Sequence, residues 1–169
     1  MLRQIRQEER GATIIEFAIV APAFIALLLA IIQTSIIYFV QHGLETAAEK
    51  AARIIYTGQV QKQGLTASAY KTQVCEFLPA FLSCDSLFID VRHTIDFASA
   101  GTATPTLSYD ASGNPSNIKF DPGTAGAIVV TKLMYQWPVL GAPLNLGVSK
   151  DSSGKHIIVA TQVSKTEPY

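Results

Sequence analysis

The chain has 169 residues, which suits one domain with an appendage. Its charged fraction is 15%, well below the usual value of about a quarter, and its hydrophobic fraction is 49%. The formal net charge is zero, and no basic stripe is interleaved with aromatic residues. Composition therefore argues against a nucleic-acid partner.

The apolar residues are concentrated near the N-terminus. The run from Phe17 to Val40 contains no charged residue and, as a helix with a rise of about 1.5 Å per residue, would span roughly 36 Å, enough to cross a bilayer core of about 30 Å. It is too long for a secretory signal, whose apolar region is about 7–15 residues, and residues 41–43 are a poor cleavage site. Arginines precede the run (Arg3, Arg6 and Arg10), so the positive-inside rule predicts a cytoplasmic N-terminus.

The helical pattern continues beyond this run. One face carries apolar residues at three- and four-residue spacing, namely Leu44, Ala47, Ala48, Ala51, Ile54 and Ile55. The opposite face carries charges, and Gly58 is a natural C-terminal stop. We therefore predict one helix from about Ala12 to Thr57, apolar in its first half and amphipathic in its second. Pro22 should kink it, and Gly43 is a second soft point.

A second helix is predicted from an N-cap at Thr66 to about Leu78, ending at Pro79. The two cysteines of the chain, Cys75 and Cys84, flank its end. An even pair in an exported domain indicates a disulfide. For a loop as short as this one, the expected stabilisation is roughly 2–3 kcal/mol. The alternative is a pair of buried thiols. Two cysteines at this spacing, without clustered histidines, do not make a zinc site.

Three later segments have the pattern of strands. Residues 86–97 alternate, with one phase formed by Leu87, Ile89, Val91, His93, Ile95 and Phe97. We expect His93 to be a satisfied or edge-facing histidine. Residues 127–137 and 155–169 predict two more strands, and the Gly-, Pro- and Ser-rich stretch from Ala98 to Gly126 predicts a loop. The predicted fold class is α+β, with the long helix packed on a small antiparallel sheet.

Motifs for catalysis are absent from the sequence. The histidines (His42, His93 and His156) are scattered, and no nucleophile elbow, phosphate loop or dinucleotide fingerprint occurs. Residues 110–121 have Asp, Ser and Asn at intervals that suggest a calcium loop, but Pro115 stands where such a loop needs glycine. We therefore predict no enzyme, no catalytic residue, no metal site, no cofactor and no small-molecule substrate.

The start of the apolar helix reads RGATIIEF, with Gly11 followed five residues later by Glu16. A carboxylate in lipid costs several kcal/mol and usually has a partner. The stretch resembles the type IV prepilin processing motif, in which a membrane peptidase cuts after the glycine. The resemblance implies cleavage between Gly11 and Ala12, and a Glu16 that neutralises the new amine of a neighbouring subunit. The alternative is a glutamate that snorkels to water at the membrane face.

The wider N-terminal sequence is similar to that of TadE-like proteins, the pseudopilins of tight-adherence (Flp pilus) systems. That family typically has an Arg-Gly, a Glu-Phe-Ala and then a proline in the apolar helix, matched here by Arg10, Gly11, Glu16, Phe17, Ala18 and Pro22. The C-terminus is similar to the family's Asn-Glu-Pro-aromatic ending through Glu167, Pro168 and Tyr169, with Thr166 in place of the asparagine.

The resemblance implies a pilin-like fold and a role as a pseudopilin or minor pilin in assembly of a tight-adherence pilus. The implied partners are a prepilin peptidase, other pilin subunits through the N-terminal helix, and the inner-membrane assembly platform. The implied location is the bacterial inner membrane, with the C-terminal domain in the periplasm and the protein able to enter the pilus.

The predicted divisions are a leader at 1–11, a transmembrane helix at 12–40, an amphipathic extension at 41–57 and a periplasmic α+β domain at 58–169. Two alternatives stay open. One is an uncleaved single-pass anchor that presents a periplasmic binding or scaffold domain. The other is a tip adhesin, in which the loop from Ala98 to Gly126 carries the binding chemistry.

Overall fold

The structure, a computed structural model, describes residues 9–101, 107–110, 115–137 and 156–168. Its longest element is helix α1, Glu9–Tyr56, of 48 residues. The chain divides into two compact units, Met1–Tyr38 and Phe39–Tyr169, so that α1 begins in the first unit and ends in the second.

In the first unit, α1 is apolar on all sides. Its large apolar side chains between Ile14 and Ile36 are 40–74% exposed. Pro22 lies inside the helix, which continues through it. The most apolar 18-residue window has a mean hydropathy of 2.6 and no buried residue, so by length and composition this described helix could cross a membrane. The core helix of a soluble domain would be mostly buried, and the exposure of this one is compatible with a single-pass anchor.

In the second unit, the continuation of α1 is amphipathic, as predicted. Leu44, Ala47, Ala48, Ala51 and Ile55 are fully buried, whereas Ile54 is half-buried. The helix ends at Tyr56, and Gly58 follows in the left-handed region at φ 75°. The Gly58 amide donates to the carbonyl of Ile55 at 2.9 Å, which satisfies one of the last free carbonyls of the helix.

Two shorter helices follow. Helix α2, Gln59–Gln63, was not expected from the sequence. Helix α3, Ala67–Cys75, begins at the predicted N-cap, where the Thr66 hydroxyl accepts the amide of Ala69 at 3.3 Å. The predicted end near Leu78 is wrong. The amide of Leu78 donates to the carbonyl of Cys75, three residues back, because the helix tightens into a turn before Pro79 restricts the preceding residue.

The sheet has three antiparallel strands in the order β1-β2-β3: Leu87–Thr94, Ile128–Trp137 and His156–Lys165. The central strand β2 is buried over nearly its whole length, with Leu87 opposite Tyr135 and Leu133 opposite Ala160. The described chain therefore has the predicted α+β arrangement of one long helix and a small antiparallel sheet.

Strand β1 ends earlier than its alternation predicts. Ile95 is 92% exposed and Phe97 is 62% exposed, although both continue the apolar phase. The reason is a turn centred on Asp96, whose carboxylate accepts the Ser99 amide at 2.6 Å and so turns the chain away from the sheet. Hydrogen bonds from Ser99 lower the pKa of this exposed carboxyl.

The alternation of β1 also predicts that Asp90, on the opposite phase, faces solvent. This prediction is wrong, because Asp90 is buried. Its carboxylate accepts the Arg92 guanidinium Nε at 2.8 Å and the Lys119 backbone amide at 2.7 Å. On the neighbouring strand, Lys132 lies opposite. Burial lowers the pKa of the Lys132 ammonium; the charge of Asp90 opposes that shift and Arg92 adds to it.

Part of the predicted loop from Ala98 to Gly126 is built into the sheet. Lys119 accepts the amide of Val91 at 2.8 Å, and Asp121 donates its amide to the carbonyl of Val91 at 2.9 Å. This segment runs parallel to β1 and occupies its outer edge, a position where free backbone groups would otherwise invite pairing with another chain.

Candidate functional site

Gly11 and Ala12 lie in the first turn of α1. Both belong to the helix as it is described from Glu9 onward. Gly11 is exposed, and a Cβ atom added to it would meet nothing within 4 Å. The backbone at Gly11 is therefore sterically accessible.

Glu16 lies one turn after Ala12 and is exposed. It is the only Asp, Glu, Lys or Arg between Gly11 and Leu44. Residues four apart lie on the same face of a helix, about 6 Å apart along its axis. The carboxylate of Glu16 therefore lies about one helical turn beyond the backbone of Ala12.

Two hydroxyl residues of the apolar segment are satisfied locally. The Thr34 hydroxyl donates to the carbonyl of Ala30 at 2.8 Å, and the Ser35 hydroxyl donates to the carbonyl of Ile31 at 2.8 Å. Such bonds to a carbonyl four residues back remove the need for water. Thr34 and Ser35 therefore fit a membrane environment, in which unsatisfied polar groups cost several kcal/mol. Glu16 stands apart, because no main-chain bond can neutralise a carboxylate.

Cys75 and Cys84 are joined by a disulfide with a Cα–Cα distance of 5.5 Å, as predicted. The bond closes a loop between the end of α3 and the short 3-10 turn Cys84–Ser86 that leads into β1. The loop is also held from outside, since the Tyr135 hydroxyl on β2 accepts the Ser83 amide at 3.0 Å.

The C-terminal motif packs at the other end of α1. The Glu167 amide donates to the carbonyl of Tyr56, the last residue of the helix, at 2.8 Å. The buried Thr166 hydroxyl lies 2.7 Å from the carbonyl of Thr124 and 3.0 Å from that of Ala127. Thr166 thus supplies a side-chain donor where the family resemblance expects an asparagine, whose amide could donate as well. Pro168 follows, and Tyr169 lies outside the described residues.

The remaining sequence hypotheses concern metals. His93 is half-exposed, and its Nδ1 lies 2.9 Å from a carboxylate oxygen of Asp121, so it is the edge-facing, satisfied histidine that was expected. Asp121, the last position of the suggested calcium loop, also accepts the Gly123 amide at 3.2 Å. Residues 111–114 of that loop are outside the described chain. No group of three His, Cys, Asp or Glu residues that could hold a metal occurs among the described residues.

The structure does not join these features into one site. Gly11, Ala12, Glu16 and Pro22 lie in the first unit, whereas the disulfide and the C-terminal motif lie in the second. In the second unit, sequence patterns missed the buried Asp90 and its contacts with Arg92 and the Lys119 amide.

Comparison with known proteins places the similarity on α1. Residues 11–53 match the model of the family described as TadE-like protein. No curated protein and no solved structure gives a significant match to the chain. The match begins at Gly11 and includes Glu16 and Pro22, and it ends within the amphipathic part of the helix. The similarity to the TadE-like family thus covers residues 11–53, about a quarter of the chain, and agrees with the resemblance seen in the sequence.

Proposed function

We propose that this chain is a pseudopilin or minor pilin of the tight-adherence pilus, cleaved after Gly11 by a prepilin peptidase. The observation that carries the proposal is the TadE-like match, which begins at the glycine and contains the single carboxylate of the apolar helix. The proposed orientation has the leader in the cytoplasm and the α+β domain in the periplasm. The proposed partners are other pilin subunits and the inner-membrane assembly platform.

The geometry at Gly11 supports processing. A peptidase needs an extended backbone, and Gly11 lies in the first described turn of α1 with no atom within 4 Å of where a Cβ would stand. Glycine also disfavours a helix by about 1 kcal/mol relative to alanine. Glycine therefore makes local unwinding less costly, and the absence of a side chain leaves space for the enzyme against the scissile bond.

Cleavage would change the charge of the helix end. It creates a positive amine at Ala12, on the same face as Glu16. Either charge alone is unfavourable among packed apolar helices, and removing one partner of a buried ion pair typically costs about 3–5 kcal/mol. When processed helices pack side by side, the amine of one and the Glu16 of its neighbour can neutralise each other. Glu16 would thereby select the registered assembly of processed subunits.

The size of the second unit supports a minor position in the pilus. It extends from Phe39 to Tyr169, far more than the helix itself. A domain of this bulk is poorly suited to dense repetition in a thin fibre, so we place the protein at a tip or in a priming complex in the inner membrane.

The test of processing is the intact mass and the N-terminal sequence of the membrane-extracted protein, from cells with and without the prepilin peptidase. We expect a chain that begins at Ala12 only when the peptidase is present, and an uncleaved chain for Gly11→Val. An N-terminus at Met1 in both strains would overturn the proposal and favour the uncleaved anchor with a scaffold domain.

The role of Glu16 needs a separate test. Glu16→Gln keeps the shape and removes the charge, so we expect normal cleavage but loss of cross-links to other pilin subunits. Glu45→Gln is the matched control, because Glu45 is an exposed acid on the same helix beyond the uncharged run. Equal cross-linking of the unmodified protein, Glu16→Gln and Glu45→Gln would contradict the assembly role of Glu16.

A further inference from the structure

The disulfide-closed loop carries a feature that processing and assembly do not use. Residues 77–84 read FLPAFLSC and contain no charge, between Glu76 and Asp85. The loop exposes Phe81, whose side chain is 49% exposed although it is large and apolar. A single exposed phenylalanine is ordinary, so its surroundings decide what it means.

The loop runs alongside α1 toward the end of the uncharged helical run. Near its start, the ring of Phe77 lies 5.8 Å from the Lys50 ammonium. Further on, Pro79 contacts Gly43 so closely that a Cβ atom there would be 2.8 Å from the proline ring. At its tip, Phe81 stacks on Phe39 with ring centroids 5.1 Å apart. Successive loop residues thus contact successively earlier residues of the helix.

The tip of the loop is held rigidly in this position. The Leu82 amide donates to the carbonyl of Pro79 at 2.9 Å, which closes a turn with Phe81 inside it. Leu82 itself is buried, and the disulfide from Cys75 to Cys84 fixes both ends of the loop. Phe81 therefore lies in a preorganised turn and not in a flexible loop.

The level of Phe39 indicates what covers this pair. Phe39 is the penultimate residue of the apolar run from Phe17 to Val40, which the polar Gln41 and His42 follow, and it is 65% exposed. If that run spans a bilayer, Phe39 lies at its outer interface, where aromatic side chains are enriched. Because Phe81 stacks on it, Phe81 lies at the same depth. The tip of the loop carries no charge and can therefore lie in this zone, whereas a charged loop would be excluded from it.

We infer that Phe81 and Phe39 form a lipid-facing pair that inserts into the headgroup and acyl-chain boundary of the outer leaflet. The loop then fixes the height of the α+β domain above the membrane through a second contact besides the helix. The inference rests on the membrane anchorage in the proposed function, and it adds a lipid-binding surface that the anchorage alone does not require.

The test uses the full chain in vesicles of phosphatidylcholine and phosphatidylglycerol, with and without dibrominated phosphatidylcholine. In a Trp137→Phe background, which removes the single native tryptophan, tryptophan is introduced by Phe81→Trp, Phe39→Trp or Phe97→Trp. Phe97 is the matched control: it is 62% exposed and lies beyond the far end of β1, whose eight residues span about 23 Å.

We expect brominated lipid to reduce the emission of the Phe81→Trp protein as strongly as that of the Phe39→Trp protein, and several times more than that of the Phe97→Trp control. Quenching at position 39 but not at 81 would overturn the inference and leave the anchorage intact. Quenching at neither position 39 nor position 81 would overturn both this inference and the proposed membrane anchorage. Shielding of position 81 from aqueous iodide without lipid quenching would indicate a protein partner and would also overturn the inference.

Discussion

The close packing of Gly43 against Pro79 makes an unusual prediction for Gly43→Ala. In an exposed helix interior this change stabilises a protein by about 0.8–1.0 kcal/mol through helix propensity. Here the new Cβ would lie 2.8 Å from Cγ and 3.6 Å from Cδ of the proline ring. The ring is part of the turn closed by the Leu82 amide, so it cannot rotate away as a flexible side chain would. Overpacking of this kind costs about 1–3 kcal/mol.

The two effects oppose each other, and we expect overpacking to win, with a net loss of up to about 2 kcal/mol. The assay is thermal unfolding of the disulfide-intact full chain in detergent, followed by Trp137 fluorescence, which reports the domain and not the apolar helix. For a domain of this size, 1 kcal/mol corresponds to a shift of about 4 °C in Tm.

A second background separates the two effects. In Pro79→Ala the ring is absent, so adding Gly43→Ala should raise Tm by the propensity gain alone. The sign of the Gly43→Ala effect should thus reverse between the two backgrounds, which is a coupling that a double-mutant cycle measures directly. A rise in Tm of similar size in both backgrounds would show that the helix and the loop are not tightly packed here, and would refute the reasoning.

Three further predictions concern the second unit. Replacing both Cys75 and Cys84 by alanine should lower the free energy of unfolding by about 2–3 kcal/mol in denaturant titrations, because the loop closed by the disulfide is short; an unchanged midpoint would contradict this. Thr166→Val should cost about 1 kcal/mol in the same titration, since it removes the donor 2.7 Å from the Thr124 carbonyl, whereas Thr166→Ser should retain most of the stability. Burial raises the pKa of the Tyr70 phenol above its ordinary 10.0, so above pH 10 the unfolded chain releases this proton more readily than the folded one. The folded protein therefore loses stability as the pH rises, and Tyr70→Phe should make that loss smaller. Identical slopes of stability against pH for both proteins would show that this phenol ionises equally in the two states.

The helix and the sheet could be predicted because their signals are local. The apolar stripe from Leu44 to Ile55 repeats at the period of a helix, and each member is buried or half-buried where the pattern places it. The N-cap at Thr66 and the left-handed Gly58 follow from side-chain chemistry within one turn. The central strand carries enough β-branched and aromatic residues to be identified without knowing its partners.

The misplaced features depend on contacts between distant parts of the chain. Strand β1 alternates through Phe97, but the Asp96 turn removes its last residues from the sheet. Asp90 belongs to the phase expected to face solvent, yet the segment at Lys119 covers that region and supplies an amide for the carboxylate. The pattern of β1 does not predict its contact with the segment at Lys119. That segment completes the edge of the sheet as a loop and has no alternation of its own.

The same helix meets two environments, and this makes folding and assembly separable. In the first unit the large apolar side chains are exposed, and burying each fully would contribute about 1.5–3 kcal/mol, so they need lipid or neighbouring helices as a surrounding. In the second unit the apolar stripe of α1 from Leu44 to Ile55 is already buried or half-buried by its own domain. Changes at Gly43, Thr166 or the disulfide should therefore alter the unfolding of the domain without altering processing. A change at Glu16 should instead weaken assembly and leave both processing and the unfolding of the domain unchanged, because no hydrogen bond or ion pair of the described domain involves that carboxylate. The comparison of these two sets of variants distinguishes a residue retained for assembly from one retained for the fold.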